Sequence, residues 1–230
     1  LDMMGVPYGC CNVLASALTF DKHTCNTYLK SYGVNVADSV MLIRGMAYDV
    51  NEIINEVGLP CFVKPNAEGS SFGVTKVKEA AQLEDALKKA FALCQEVLIE
   101  TFIDGTELTC GVVKAGDMDI AMPIAEVIPK NEFFDFEAKY DPTKSDEIIP
   151  ARISPELTNR IKTLSSMIYD ILRCEGIIRV DYIVRDDEIF MLEVNTTPGM
   201  TSNSFVPKMV RAMGGTLREV LTKIIDNKLN

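Results

Sequence analysis

The sequence contains no tryptophan and a single histidine, His23, and only 7% of its residues are aromatic. Its seven cysteines show no paired spacing: Cys10 and Cys11 are adjacent and the rest are scattered. One histidine among unpaired cysteines excludes a Cys/His zinc cluster, and the pattern is not a disulfide framework. Scattered thiols predict a reducing, cytoplasmic setting. Basic residues are also scarce, 23 Lys+Arg against 33 Asp+Glu for a net charge of −10. Phosphate-rich partners demand basic patches, so nucleic acid and anionic membrane are excluded as partners. No apolar run reaches the ~18–20 residues of a membrane span, and no signal-peptide pattern opens the chain. What is present is ample core material: 47% of the 230 residues are hydrophobic and 24% charged. That suits one large domain or two small ones. The chain starts at Leu1 rather than Met, which reads as a piece of something longer.

The pattern predicts a mixed α+β protein in which helices join antiparallel strand pairs. A loop at Gly5–Gly9 precedes a helix over Asp21–Tyr32 that stops at Gly33. Val50, Ile53, Ile54 and Val57 repeat at i, i+3, i+4 and i+7, predicting a helix over 47–57 closed by Gly58 and Pro60. Strands are expected at 61–64 and 74–77, paired antiparallel, then a helix over 79–93 and a strand at 97–100. A hairpin is expected from 108–114 and 120–127, and residues 129–149 read as a long polar loop of the kind that serves as a lid. Ser154, Pro155 and Glu156 start a helix that runs to about Cys174. Residues 177–184 and 189–195 form a second hairpin. A last helical region, 206–227, is interrupted at Gly214-Gly215.

Four stretches carry candidate chemistry. In Lys64-Pro65-Asn66-Ala67-Glu68-Gly69-Ser70-Ser71-Phe72-Gly73, two glycines admit close backbone approach, two serines add donors and Lys64 adds a point charge. This can cradle phosphate, or be a solvated turn; it is not the P-loop pattern. In the second hairpin, alternation puts Arg179 and Asp181 on one face of their strand, and Glu193 and Asn195 on one face of theirs. With the turn centred on Asp187, opposed residue numbers sum to about 374, so Asp181 opposes Glu193 and Arg179 opposes Asn195. Ile178, Val180, Leu192 and Val194 then line the other side. Two such carboxylates repel unless a cation lies between them, and carboxylates plus an amide oxygen suit Mg²⁺ shared with phosphates. The alternative is a mutually paired, exposed sheet face. Thr196–Ser204 carries small hydroxyl residues and Gly199 ahead of a helix, either an anion site or an ordinary capped loop. Finally, Leu98–Glu107 is an apolar strand with a turn, which offers backbone amides and an apolar wall to a purine, or is a plain edge strand.

These residues resemble the D-alanine–D-alanine ligases of the ATP-grasp superfamily. Asp21-Lys22, Lys64-Pro65 with Glu68-Gly69-Ser70-Ser71-x-Gly73, Phe136-Glu137-Ala138-Lys139-Tyr140, Arg179-Val180-Asp181 and Glu193-Val194-Asn195-Thr196-x-Pro198-Gly199-Met200-Thr201 stand in that family's order and approximate spacing. The last run is the most specific. The resemblance covers almost the whole chain and implies an ATP-grasp fold, two α+β subdomains whose antiparallel sheets sandwich ATP. It places the tail of a missing N-terminal domain at 1–8, the central subdomain at 9–102, and the C-terminal subdomain with the metal and substrate site at 103–230.

The resemblance implies an ATP-dependent ligase that makes D-alanyl-D-alanine through an acyl phosphate, for peptidoglycan synthesis. Lys22 and Lys64 match its phosphate-binding lysines, and Ser70 and Ser71 its phosphate loop. Glu100, Thr101, Phe102 and Ile103 match its adenine segment and Glu107 its ribose ligand. Leu192 joins the nucleotide-binding set, as do Phe133, Phe134 and Lys139 of the closing loop. Asp181, Glu193 and Asn195 match the ligands of two Mg²⁺ ions, for which Mn²⁺ can substitute. Arg179 and the Gly199 amide match the oxyanion-stabilising groups, and Ser204 lies near the carboxylate of the second D-alanine. Tyr140 goes with dipeptide formation, where phenylalanine goes with D-lactate ester formation. Phe134 and Phe205 depart from the usual Tyr and Leu. The family carries a further N-terminal α/β domain, whose carboxylate works with Ser70 and Tyr140, and it forms dimers. A chain without that domain is expected to bind ATP weakly and turn over poorly. Two other readings remain open: a nucleotide-binding module without ligase activity, and a D-alanine–D-lactate ligase.

Overall fold

A computed structural model describes residues 1–69, 73–129 and 145–229. The chain divides into two compact units, one formed by Phe20–Asp104 with Ile128–Asp146, the other by Leu1–Thr19, Gly105–Val127 and Glu147–Asn230. Among the described residues no helix is long and apolar enough to cross a membrane.

The first unit is built on a four-stranded sheet of β1 (Ser39–Ile43), β2 (Cys61–Pro65), β3 (Thr75–Val77) and β4 (Glu96–Thr101), all antiparallel in the order β1-β4-β2-β3. Helix α2 (Lys22–Lys30) is capped by Asp21, which accepts the Thr24 N–H at 2.8 Å. Helix α3 (Val50–Val57) begins three residues later than the periodicity suggests, because Asp49 caps it by accepting the Asn51 N–H at 2.7 Å. Helix α4 (Leu83–Leu93) follows a 3-10 turn whose Glu79 and Gln82 form a capping box. One sheet face, with Val63, Val77, Val97 and Ile99, packs against Ile53 and Val57 of α3 and Leu83 and Leu87 of α4. Each such burial removes apolar area from water worth roughly 1.5–3 kcal/mol before chain entropy is set against it. The other face carries Phe62, Lys64, Leu98 and Glu100, and Asn26 of α2 reaches Glu100 from that side.

Strand β4 differs from the edge strand considered above: it is flanked by both β1 and β2. Strand β1 itself was not expected from the pattern, nor was helix α1 (Val13–Phe20), whose Val13, Leu14 and Phe20 are exposed.

The second unit holds a six-stranded sheet of β5 (Thr106–Ala115), β6 (Met118–Ala121), β7 (Ala125–Pro129), β8 (Ser145–Ile148), β9 (Gly176–Arg185) and β10 (Glu188–Asn195). The order is β10-β9-β5-β7-β8, and β6 pairs β5 beyond β7. The expected single strand over 120–127 is thus two, broken at Met122-Pro123-Ile124, since Pro123 has no N–H to give the ladder. The hairpin before it is tighter than expected, with Ala115 opposite Met118. Residues 145–148 of the expected loop are strand, and 130–144 lie outside the described residues. Helix α5 (Pro155–Ile171), capped by Ser154, covers one sheet face: Ser165 Oγ and Tyr182 Oη lie 2.7 Å apart, both buried. Helices α6 (Phe205–Ala212) and α7 (Leu217–Leu229) pack on Val113, Met122 and Ile177 of the opposite face. Residues 9–19, read from sequence with the first subdomain, cluster here. The reason is contact: Cys11 Sγ accepts the Glu175 N–H at 3.3 Å, and a Cβ on Gly176 would fall 2.2 Å from the Gly9 carbonyl oxygen.

Candidate functional site

One face of the second unit's sheet holds a set of charged groups, with Asp181 buried among them. Register places Asp181 opposite Glu193 and Arg179 opposite Asn195, as alternation predicted. The route differs. The turn is the two-residue Asp186-Asp187, both at positive φ (50° and 66°), as a tight primed hairpin turn requires. Opposed numbers near the turn therefore sum to one less than expected, as Glu188 with Arg185 and Met191 with Tyr182 show. Continued, that register would set Glu193 against Val180, on the side of the α5 core. A β-bulge between Met191 and Glu193 adds one residue and turns Glu193 to the polar face while Met191 stays buried. Leu192, expected opposite the polar face, is the extra residue of that bulge and is half-buried.

Asp181 is the hub. Its Oδ1 accepts Thr109 Oγ1–H at 2.6 Å and Arg179 Nε–H at 2.8 Å; its Oδ2 accepts Arg179 Nη2–H at 2.8 Å and Asn195 Nδ2–H at 3.0 Å. Burial alone would lower the Arg179 guanidinium, but Asp181, then Glu193 and Glu107, hold it above its usual value, and its Cζ lies 5.5 Å from the centroid of the Phe205 ring. Glu107 sits on β5 in register with Ile183.

The Thr196–Ser204 segment leads into α6 with Ser204 at its N-cap. Ser204 Oγ bonds the Thr201 hydroxyl at 2.9 Å, and a Cβ at Gly199 would come within 2.8 Å of that same Oγ. A side chain at 199 would therefore displace the Ser204 hydroxyl from this position.

In the first unit, Lys64 and Glu100 form an ion pair with side chains 15% and 7% exposed. Lys22 Nζ donates to the carbonyls of Glu68 and Asn66. Asn66, fully buried, ties this region together: its Oδ1 accepts the His23 N–H at 2.9 Å and its Nδ2 donates to Glu96 at 3.1 Å. In the expected adenine segment, the Thr101 N–H donates to Asp38 and the Phe102 N–H to Pro60, so these two amides are not exposed as the sequence suggested. Ile103 is buried, and the Phe102 ring lies under Lys76 Nζ at 3.6 Å. Ser70, Ser71, Phe133, Phe134, Lys139 and Tyr140 lie outside the described residues.

Sequence reading missed Asn66 and Thr109. Both bond partners far along the chain, 43 and 72 residues away, so no local pattern marks them.

The oxygen set fits Mg²⁺. Among the described residues no three Asp, Glu, His or Cys side chains converge. Two opposed carboxylates plus the Asn195 amide, whose nitrogen faces Asp181 and whose Oδ1 is an acceptor, still make three hard oxygens. Mg²⁺ takes one or two protein carboxylates and completes its shell with water and phosphate.

The sequence profile described as "D-ala D-ala ligase C-terminus" matches residues 28–226. A D-alanine–D-alanine ligase of Bacteroides fragilis is 55% identical over 228 residues, 99% of this chain and 70% of the relative. That of Bacteroides thetaiotaomicron is 57% identical over the same share of each. The crystal structure of the Bacillus anthracis ligase complexed with ATP superposes with a TM-score of 0.84 at 33% identity, covering 100% of this chain and 72% of that one. The VanG D-Ala:D-Ser ligase of Enterococcus faecalis also gives 0.84, at 35% identity, covering 99% and 66%. With that profile over most of its length and relatives above half identity, the chain belongs to the D-alanine–D-alanine ligase family, and its fold is ATP-grasp.

Proposed function

We propose that the protein joins two D-alanines at the expense of ATP, that Mg²⁺ is its metal, and that the product feeds peptidoglycan synthesis in the cytoplasm, with the enzyme a homodimer. The observation that carries the site reading is the bulge-set register that faces Asp181 with Glu193 beside Arg179 and Asn195. Lys22 and Lys64 bind phosphate oxygens, and Glu107 takes the ribose. Asp181, Glu193 and Asn195 hold the cation. When bound, Mg²⁺ neutralises phosphate oxygens and keeps them aligned for transfer.

ATP phosphorylates one D-alanine carboxylate and leaves as ADP; the amine of the second attacks the acyl carbon, the bond from that carbon to the phosphate oxygen breaks, phosphate leaves, and the amine gives up a proton to solvent. In that attack Arg179 and the Gly199 amide face the oxygen on which negative charge grows, and Ser204 orients the second carboxylate. No covalent enzyme intermediate is required: these residues work by position and charge. The test is phosphate release. It should require ATP, Mg²⁺ and D-alanine together and match the dipeptide detected by mass, one for one. Phosphate release indifferent to D-alanine would leave only a nucleotide-binding module.

The likeness to a D-Ala:D-Ser ligase supports a second reading for the acceptor alone, D-serine in place of the second D-alanine. Mixed-acceptor assays decide it by the ratio of the two dipeptides. Replacing Tyr140 with phenylalanine is expected to raise D-lactate use over the wild type, and an unchanged ester-to-peptide ratio removes Tyr140 from substrate choice.

A further inference from the structure

A carboxylate offers about four lone-pair sites, and on Asp181 four donors already stand at 2.6–3.0 Å, two on each oxygen. A cation that coordinates this carboxylate competes with donors already in place on both oxygens. Thr109 and Asn195 are short side chains on strands β5 and β10, and Thr109 is 2% exposed. Each gives a single, uncharged donor, and the Thr109 hydroxyl also lies 3.4 Å from the Val180 carbonyl oxygen. Arg179 supplies the other two donors through a long side chain whose guanidinium lies against the Phe205 ring.

We infer that Arg179 occupies, on Asp181, the face that a divalent cation takes when it binds, and that Thr109 is the positioning residue that holds the carboxylate in place through the exchange. The inference rests on the reading that Asp181 and Glu193 bind the metal. The exchange is electrostatically coherent. The carboxylates of Asp181, Glu193 and Glu107 that favour the charged guanidinium also favour a doubly charged ion. The displaced guanidinium is then available to the negative oxygen it is proposed to stabilise. Metal entry and arming of Arg179 become one event.

The test is Mn²⁺ titration of the nucleotide-free protein, with unbound ion read by electron paramagnetic resonance. Removing a competing charge-assisted pair by Arg179→Met should tighten Mn²⁺ binding by about ten-fold. Arg179→Lys keeps the charge but cannot chelate both oxygens, so it should tighten binding to a lesser degree, and it carries the test if the methionine variant does not fold. Thr109→Val should weaken Mn²⁺ binding several-fold, and Thr109→Ser should restore it. Unchanged or weaker binding in both Arg179 variants overturns the exchange, as does undetectable Mn²⁺ binding in every protein. Glu193→Gln separates the two levels. If it leaves Mn²⁺ affinity at the wild-type value, the cation site itself is misassigned. If it weakens affinity while the Arg179 variants do not tighten it, only the exchange fails.

Discussion

Glu193→Gln is expected to cut ATP- and D-alanine-dependent phosphate release by roughly 10²–10³-fold, the scale of losing one preorganised charged group in an active site. The fold should stay intact. Glutamine keeps the shape, so the bulge that turns residue 193 to the polar face is undisturbed. The charge it removes stands directly across the strand pair from Asp181, where like charges cost a few tenths of a kcal/mol to about 1 kcal/mol. Thermal stability should therefore change little, because the lost repulsion with Asp181 is set against the lost attraction to Arg179. Isothermal titration of ATP with Mg²⁺ should show weakened binding, and titration without the metal should change little. Equal loss with and without Mg²⁺ would falsify the metal role and leave Glu193 a direct nucleotide contact.

The polar face of the β9–β10 hairpin was legible because strand alternation is a local rule. Its register came out right although the turn did not. A five-residue sequence, Arg185 to Ile189, does not show which residues take positive φ, and nothing in Met191-Leu192-Glu193 announces a bulge. The two one-residue errors cancel between Met191 and Glu193. Caps were readable where they are short-range, as at Ser154, and slipped where apolar spacing ran past a capping Asp, as at Asp49. Strand β1 was illegible for another reason: Ser39–Ile43 is short, and its antiparallel partner, β4, lies more than 50 residues on. That same pairing makes β4 central and, with Asp38 and Pro60 beside it, uses the Thr101 and Phe102 amides. Residue types thus pointed to the candidate groups. The neighbours that hold them, Thr109 on Asp181 and Asn66 beside Lys22, depend on long-range packing and emerge only from the structure.

Lys64→Met should damage stability and nucleotide binding together, and a second substitution should separate the two. The Lys64–Glu100 pair is largely buried, so Glu100 is left as a poorly hydrated charge once its partner is gone. The Asn26 amide at 3.4 Å is a weak substitute for a cation. Removing one member of a buried pair typically costs about 3–5 kcal/mol, most of it the stranded charge rather than the lost attraction. Adding Glu100→Gln removes that charge, so the double variant should recover most of the stability, because a neutral pair of similar volume often costs little. ATP affinity should behave differently. If Lys64 binds phosphate, the double variant stays as weak a binder as Lys64→Met, whereas Glu100→Gln alone keeps the ammonium and loses far less. Urea unfolding and ATP titration on the three variants decide both points. Recovery of ATP binding in the double variant would mean that Lys64 serves only to neutralise Glu100 and makes no contact with the nucleotide.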